Sequence, residues 1–143
     1  MPRCLGLLAA VGLVFALLSQ GPAFPEEKGK KVDTRVFEMR TYYAHPGKME
    51  AMHARFRDHT CKLFQKHGMT IIGFWSPYDS KQADEKMVYI LAFPSKDAAA
   101  KSWKDFQNDP DWKTAKANSE KNGPIVAKVD SLFLNPTDYS PIK

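Results

Sequence analysis

The order of elements in this sequence predicts an α+β fold: a ferredoxin-like βαββαβ unit with an antiparallel four-stranded sheet. Three observations carry that expectation. Four runs rich in β-branched and aromatic residues, Val36–Tyr43, Thr70–Trp75, Lys86–Phe93 and Ile125–Leu134, read as strands. Apolar residues at helical spacing fill the stretches between the first and second runs and between the third and fourth. Pro and Gly punctuate the junctions.

Taken in order, the first strand has two registers. Phe37, Met39, Thr41 and Tyr43 point one way; Val36, Glu38, Arg40 and Tyr42 point the other. His45-Pro46-Gly47 ends it in a turn. Lys48–His67 is the main helix, because Met49, Met52, Phe56, Thr60, Leu63 and His67 recur at three- and four-residue steps. Gly68 suits a left-handed cap directly after it. Thr70–Trp75 is closed by Ser76-Pro77, and the polar stretch Tyr78–Glu85 joins it to the third strand as a hairpin-type loop. After Pro94, Ser95 caps a helix to about Asn108, with Ala99, Trp103 and Phe106 inward. Asp109-Pro110 repeats the start signal, so a shorter helix should run to about Lys121, ended by Asn122-Gly123-Pro124.

Strands two to four are apolar on both registers. A sheet with helices on one side should show a polar outer face, so the second face needs a cover that the remaining chain cannot supply. Packing against a second copy is the economical answer, and two such sheets meeting face to face make a dimeric α+β barrel.

The N-terminus has the three parts of a secretory signal. Arg3 is the basic region, Leu5–Leu18 is apolar, and small residues follow at Ser19 with Gly21, or Gly21 with Ala23. The apolar run is about 14 residues, short of the roughly 20 that cross a bilayer. Residues 1–23 are therefore expected to be removed on export, 24–34 to be a polar linker and 35–141 the domain, with a secreted or periplasmic destination and no stable membrane insertion. Only Cys61 remains after cleavage, so no intrachain disulfide forms and the fold rests on packing. The formal charge is +5, but acids alternate with lysines through Lys81–Lys86 and Lys101–Lys113. That pattern is a solvated surface, not a nucleic-acid stripe.

Ordered motifs carry a family resemblance. Phe37-Glu38-Met39-Arg40-Thr41-Tyr42 with His45-Pro46-Gly47-Lys48, then His59-Thr60, Lys66-His67-Gly68, Ile72-Gly73-Phe74-Trp75, Asn108-Asp109-Pro110-Asp111-Trp112 and Leu134-Asn135-Pro136-Thr137-Asp138-Tyr139-Ser140-Pro141, resemble NIPSNAP domains. The resemblance spans about Val36 to Pro141. It implies the dimeric α+β barrel superfamily, which includes cofactor-free monooxygenases and haem-dependent enzymes; it implies no settled reaction for NIPSNAP proteins themselves. Animal members are mitochondrial, whereas this chain carries a secretory signal and one domain, so their roles are not transferred.

The candidate ligand-pocket residues are Glu38, Arg40, Tyr42, His59 and Trp75. Arg40 would clamp an anionic small molecule, with Glu38 and Tyr42 orienting it; the plainer reading of Glu38 and Arg40 is a structural ion pair. Trp75, at a strand end, would line a pocket mouth. His53 and His67 are about 21 Å apart along a helix, and no histidine pair has the one-turn spacing of a helical metal site. No metal or resident cofactor is expected, a single haem-ligating His being the alternative; no catalytic residue is assigned. The expected function is an exported, homodimeric small-molecule or partner-binding module, the alternative a monooxygenase-type oxidoreductase.

Overall fold

The computed structural model describes residues 35–143. The expected signal peptide and the whole of the linker lie outside them. Strands β1 (Val36–Ala44), β2 (Thr70–Trp75), β3 (Lys86–Phe93) and β4 (Val126–Leu134) form one antiparallel sheet in the order β2-β3-β1-β4. This is the ferredoxin-like arrangement expected from the element order, with β1 and β3 central. The helices are α1 (Met49–Arg55), a π-helical turn (Phe56–Thr60), α2 (Cys61–Lys66), a short α3 (Ser80–Ala83), α4 (Lys96–Asn108) and α5 (Pro110–Ser119). No helix of the described residues is long and apolar enough to cross a membrane.

Local chemistry explains the boundaries. At the end of α2, Gly68 takes φ +73°, a conformation L side chains rarely adopt. It lets the Met69 N–H reach the Phe64 carbonyl at 2.9 Å and the Gly68 N–H reach Gln65 at 3.1 Å. Those two bonds are a Schellman cap, and Met69 follows Phe64 into the core. Ser95 accepts from the Ala98 N–H at 3.1 Å to start α4. Asp109 accepts from the Asp111 N–H at 2.8 Å to start α5, with Pro110 at its first position. The Tyr78–Glu85 stretch differs from a plain hairpin loop: Asp79 caps a single helical turn there.

The main helix is not regular. Its middle turn, Phe56–Thr60, is π-helical, and the Thr60 hydroxyl donates to the Arg55 carbonyl five residues back at 3.2 Å. A wider turn rotates every later residue backward around the axis. Met49, Met52, Phe56, Thr60 and Leu63 are buried as their spacing predicts. Phe64, off the predicted stripe, swings inward and becomes one of the largest fully buried side chains.

Cross-strand register settles the two faces. Glu38 opposes Leu91, Arg40 opposes Tyr89 and Tyr42 opposes Met87, and Met87, Tyr89 and Leu91 belong to the core beneath the helices. Phe37, Met39, Thr41 and Tyr43 therefore share the other face with Val88, Ile90 and, on β4, Leu132 and Leu134. The C-terminal segment borders one end of that face: Asn135, Pro136 and Ile142 line a cavity of about 310 Å³ with Phe37, Ile72 and Ile90. The chain thus supplies a partial cover that its element count did not suggest.

One polar junction ties α2 to α5. Asp109 Oδ2 lies 2.8 Å from Lys66 Nζ and 2.6 Å from His67 Nε2. Hydrogen bonding to Lys66 first, and to His67 next, holds the Asp109 carboxyl well below the usual carboxylate range. Because the folded-state value is depressed, its stabilisation is complete above the ordinary carboxylate value and is lost as pH falls through the folded-state value. Wild type should therefore lose thermal stability, relative to Asp109→Asn, as pH falls below about 4. Parallel melting curves down the acid limb check this; identical slopes would show that Asp109 is not coupled to folding.

Candidate functional site

Period-two alternation places Glu38, Arg40 and Tyr42 on the helix-facing side of β1, and the structure gathers them with three residues from other elements. Glu38 is only 2% exposed. Its Oε1 accepts from Arg40 Nη1 and from the Ser131 hydroxyl, each at 2.6 Å, and its Oε2 accepts from Trp103 Nε1 at 2.5 Å. Ser131 faces the site because it pairs with Arg40 across β1 and β4. Trp103 reaches it from the inner face of α4. A buried carboxylate needs this kind of saturation, since each unmet lone pair would retain its full desolvation cost.

Arg40 is held differently. Its guanidinium carbon sits 4.3 Å from the Trp103 ring centroid and 5.7 Å from that of Tyr42, a cation–π sandwich. Burial by itself would lower its pKa; Tyr42, Tyr89 and Glu38 outweigh that and raise it. The side chain keeps 18% exposure. Its Nε is buried and has no hydrogen-bond partner. Directly across the sheet, the Tyr89 hydroxyl is also buried and unpartnered. Burial, with a further contribution from Tyr42, pushes the Tyr89 phenol well above its ordinary value, so it stays protonated and able to donate. Tyr42 is near enough to raise it both electrostatically and as a hydrogen-bond neighbour, although the two phenols fall outside strict hydrogen-bond geometry and the Tyr89 hydroxyl has no well-formed partner. Two orphaned donors thus lie on facing residues, one of them within a guanidinium cation.

His59 and Trp75 are elsewhere. His59 is exposed, in a groove of about 500 Å³ between the main helix and α5, with Lys62, Lys66 and Asp111. Trp75 is half exposed at the end of β2, bordering a separate pocket with His53 and Phe56. The five candidates therefore fall in three places, and only Glu38, Arg40 and Tyr42 converge. Tyr89, Trp103 and Ser131 complete the site without having been singled out as site residues. Trp103 had a visible signal, its place on the inner stripe of α4; Ser131 had none without strand register. Cys61 is a half-buried thiol whose pKa burial raises, as its place beside the apolar stripe suggests. Among the described residues no group of three or more His, Cys, Asp or Glu side chains is placed to hold a metal ion.

The NIPSNAP family model matches residues 37–141. The chain belongs to the NIPSNAP family. Among solved structures, a NIPSNAP family protein with unknown function from Agrobacterium tumefaciens is 20% identical, with a TM-score of 0.67 over 78% of this chain and 96% of that one. A NIPSNAP-like domain protein from Burkholderia xenovorans is 15% identical, with a TM-score of 0.65 over 76% and 90% of the two chains. The cofactor-independent oxygenase SnoaB from Streptomyces nogalater is 12% identical, with a TM-score of 0.50 over 76% and 98%. A comparison with curated proteins finds no match. At these identities the shared feature is the fold. What the NIPSNAP domain does here must be argued from its own side chains.

The Glu38 and Arg40 sites should respond unequally to truncation. Glu38→Ala removes the counter-charge of the largely covered Arg40 and orphans the Trp103 and Ser131 donors, so it should destabilise the domain by about 3 kcal/mol. Arg40→Ala removes a partly exposed cation and leaves Glu38 two neutral donors, so its cost should be clearly smaller. Urea melts of the two variants measure this; equal losses would mean that the ion pair alone organises the site.

Proposed function

We propose that this NIPSNAP-domain protein is exported and acts as a homodimeric binding module for a small molecule bearing an oxyanion or carbonyl oxygen. The observation that carries the ligand reading is the pair of buried, unpartnered donors, Arg40 Nε and Tyr89 Oη, on directly opposed residues. Buried donors normally have acceptors, and an unmet one costs roughly 1–3 kcal/mol. A ligand oxygen placed between them supplies what the protein withholds. Glu38 is committed to its three donors and serves to hold Arg40 against Trp103. Its role is positioning.

Mass spectrometry under native conditions, on protein purified from its own host, tests this. Wild type should retain a small oxygen-bearing ligand and Arg40→Ala should not. Equal occupancy of the two would overturn the assignment of the site.

The dimer reading rests on the open face of the sheet. Leu132 is 53% exposed there, beside Met39, Val88 and Ile90, and the C-terminal segment reaches only one end. An apolar sheet face of this kind calls for a cover, and a second copy offers the same surface by two-fold symmetry. Light scattering at micromolar concentration should report a dimer, and Leu132→Glu, which the monomer fold tolerates at an exposed position, should report a monomer. A monomeric wild type would refute the pairing.

A haem-using oxidoreductase does not suit these residues. The pocket beside His53 holds about 220 Å³, under the range usual even for drug-sized ligands. The larger groove beside His59 is lined by Asp58, Lys62, Lys66 and Asp111, with Leu63 and Ala115 as its apolar side chains, too few to enclose a porphyrin. A cofactor-independent oxygenase reading has the shared fold of SnoaB in its support and no side-chain observation.

A further inference from the structure

Two single-residue irregularities on facing elements set which side chains line one pocket: the π-turn carries Phe56 and Arg57, and the strand bulge fixes the register of Phe74 and Trp75. On the helix, the π-turn begins at Phe56 and includes Arg57. On the sheet, the β2–β3 register shifts between Ile71 and Gly73, leaving Ile72 as the extra residue of a bulge. Without that bulge, residues 71, 73 and 75 would share the helix side by strict alternation. With it, Phe74 pairs with Tyr89 on the helix side, and Trp75 pairs with Val88 on the other. Gly73 completes the arrangement: a Cβ there would lie 2.8 Å from the Trp75 indole, so a larger residue would push the ring from its present place over the strand. Both kinds of insertion recur next to functional sites, because each re-aims a side chain that a regular element would misdirect.

The pocket between them has a volume of about 220 Å³. Phe56, Phe74 and Met87 give it an apolar floor, Arg57 and His53 are its basic groups, and the Cys61 thiol lines it as well. No carboxylate lines it. Arg57 is mostly exposed, with only a loose contact of 3.9 Å to the exposed Glu50, so its guanidinium is available at the mouth. The groove at His59 makes the contrast: it carries acids and bases together, and its Lys66 is already bonded to Asp109 and Asp111.

We propose that this pocket is a binding site for a small apolar acid, its hydrocarbon part on Phe56, Phe74 and Met87 and its carboxylate at Arg57. The volume, below the roughly 300–1,000 Å³ of pockets for drug-sized ligands, limits the occupant to a smaller molecule. This site is distinct from the Arg40 site, and each stands without the other.

Calorimetric titration of the purified protein with phenylacetate and with its neutral amide, phenylacetamide, tests the proposal. The acid should bind at least about ten-fold more tightly, the scale of one charge-assisted hydrogen bond. Arg57→Ala should erase the preference while leaving the melting temperature in place, and Ser76→Trp, at the exposed rim, should abolish binding of both compounds. Arg40→Ala should leave the phenylacetate affinity unchanged. Absence of saturable phenylacetate binding would overturn the proposal. So would binding that ignores both Arg57→Ala and Ser76→Trp, or binding lost in Arg40→Ala, which would place the acid at the other site.

Discussion

The buried carboxylate of Glu38 is the constraint around which the rest of this domain is arranged. An ionised group with almost no exposure must find donors from whatever elements surround it. Here they come from three: Arg40 on the same strand, Ser131 on β4 and Trp103 on α4. β4 is an edge strand whose side chains are mostly exposed, so it contributes little to the core. The Ser131 contact gives it a side-chain anchor in addition to its ladder with β1. The Trp103 bond orients α4, and the same indole then faces the Arg40 guanidinium and packs edge-on against Phe64 and Phe106. One acid therefore joins the edge of the sheet, the second helix and the aromatic core. Arg40, with its Nη1 drawn to Glu38 and its face against Trp103, has its Nε left over.

Much of the fold was legible because short-range chemistry decides it. Thr70–Trp75 and Lys86–Phe93 have their expected bounds, each closed by a proline that cannot extend the ladder. Asp109-Pro110 and Ser95 start helices because their caps involve residues two or three positions away. The shared side of Glu38, Arg40 and Tyr42 follows from period two alone. Their partners do not. Trp103 and Ser131 lie 65 and 93 residues from Glu38, and only strand register and helix placement bring them near. His59 and Trp75 were grouped with Glu38 on type and position along the chain, neither of which fixes location in space. The rotation imposed by the π-turn illustrates the same limit. Whether a helix admits one extra residue depends on what its faces pack against, and spacing alone left Phe64 out of the buried stripe.

The aromatic core explains why the irregularities are tolerated. Phe56 meets Tyr42, Phe64, Phe74 and Tyr89 at centroid separations of 5.5 to 6.1 Å, mostly edge-on or tilted. Such contacts remain favourable over a range of angles, unlike the interdigitation of branched aliphatic chains. A helix carrying an extra residue and a strand carrying another can therefore meet over aromatic rings without a void.

That tolerance also separates the two sites. Phe56 and Phe74 each touch Tyr89 on one side and line the 220 Å³ pocket on the other. They form a wall between an apolar cleft open to solvent near Arg57 and the buried donors Arg40 Nε and Tyr89 Oη. An acid in the cleft presents its charge outward to Arg57, since inward it would meet ring faces and a thioether, which offer a carboxylate nothing. An oxygen acceptor at Arg40 and Tyr89 meets two donors instead, one of them part of a guanidinium cation that keeps 18% exposure. The electrostatics of the two flanks thus demand different ligands, or different ends of a ligand, and the aromatic wall keeps them apart.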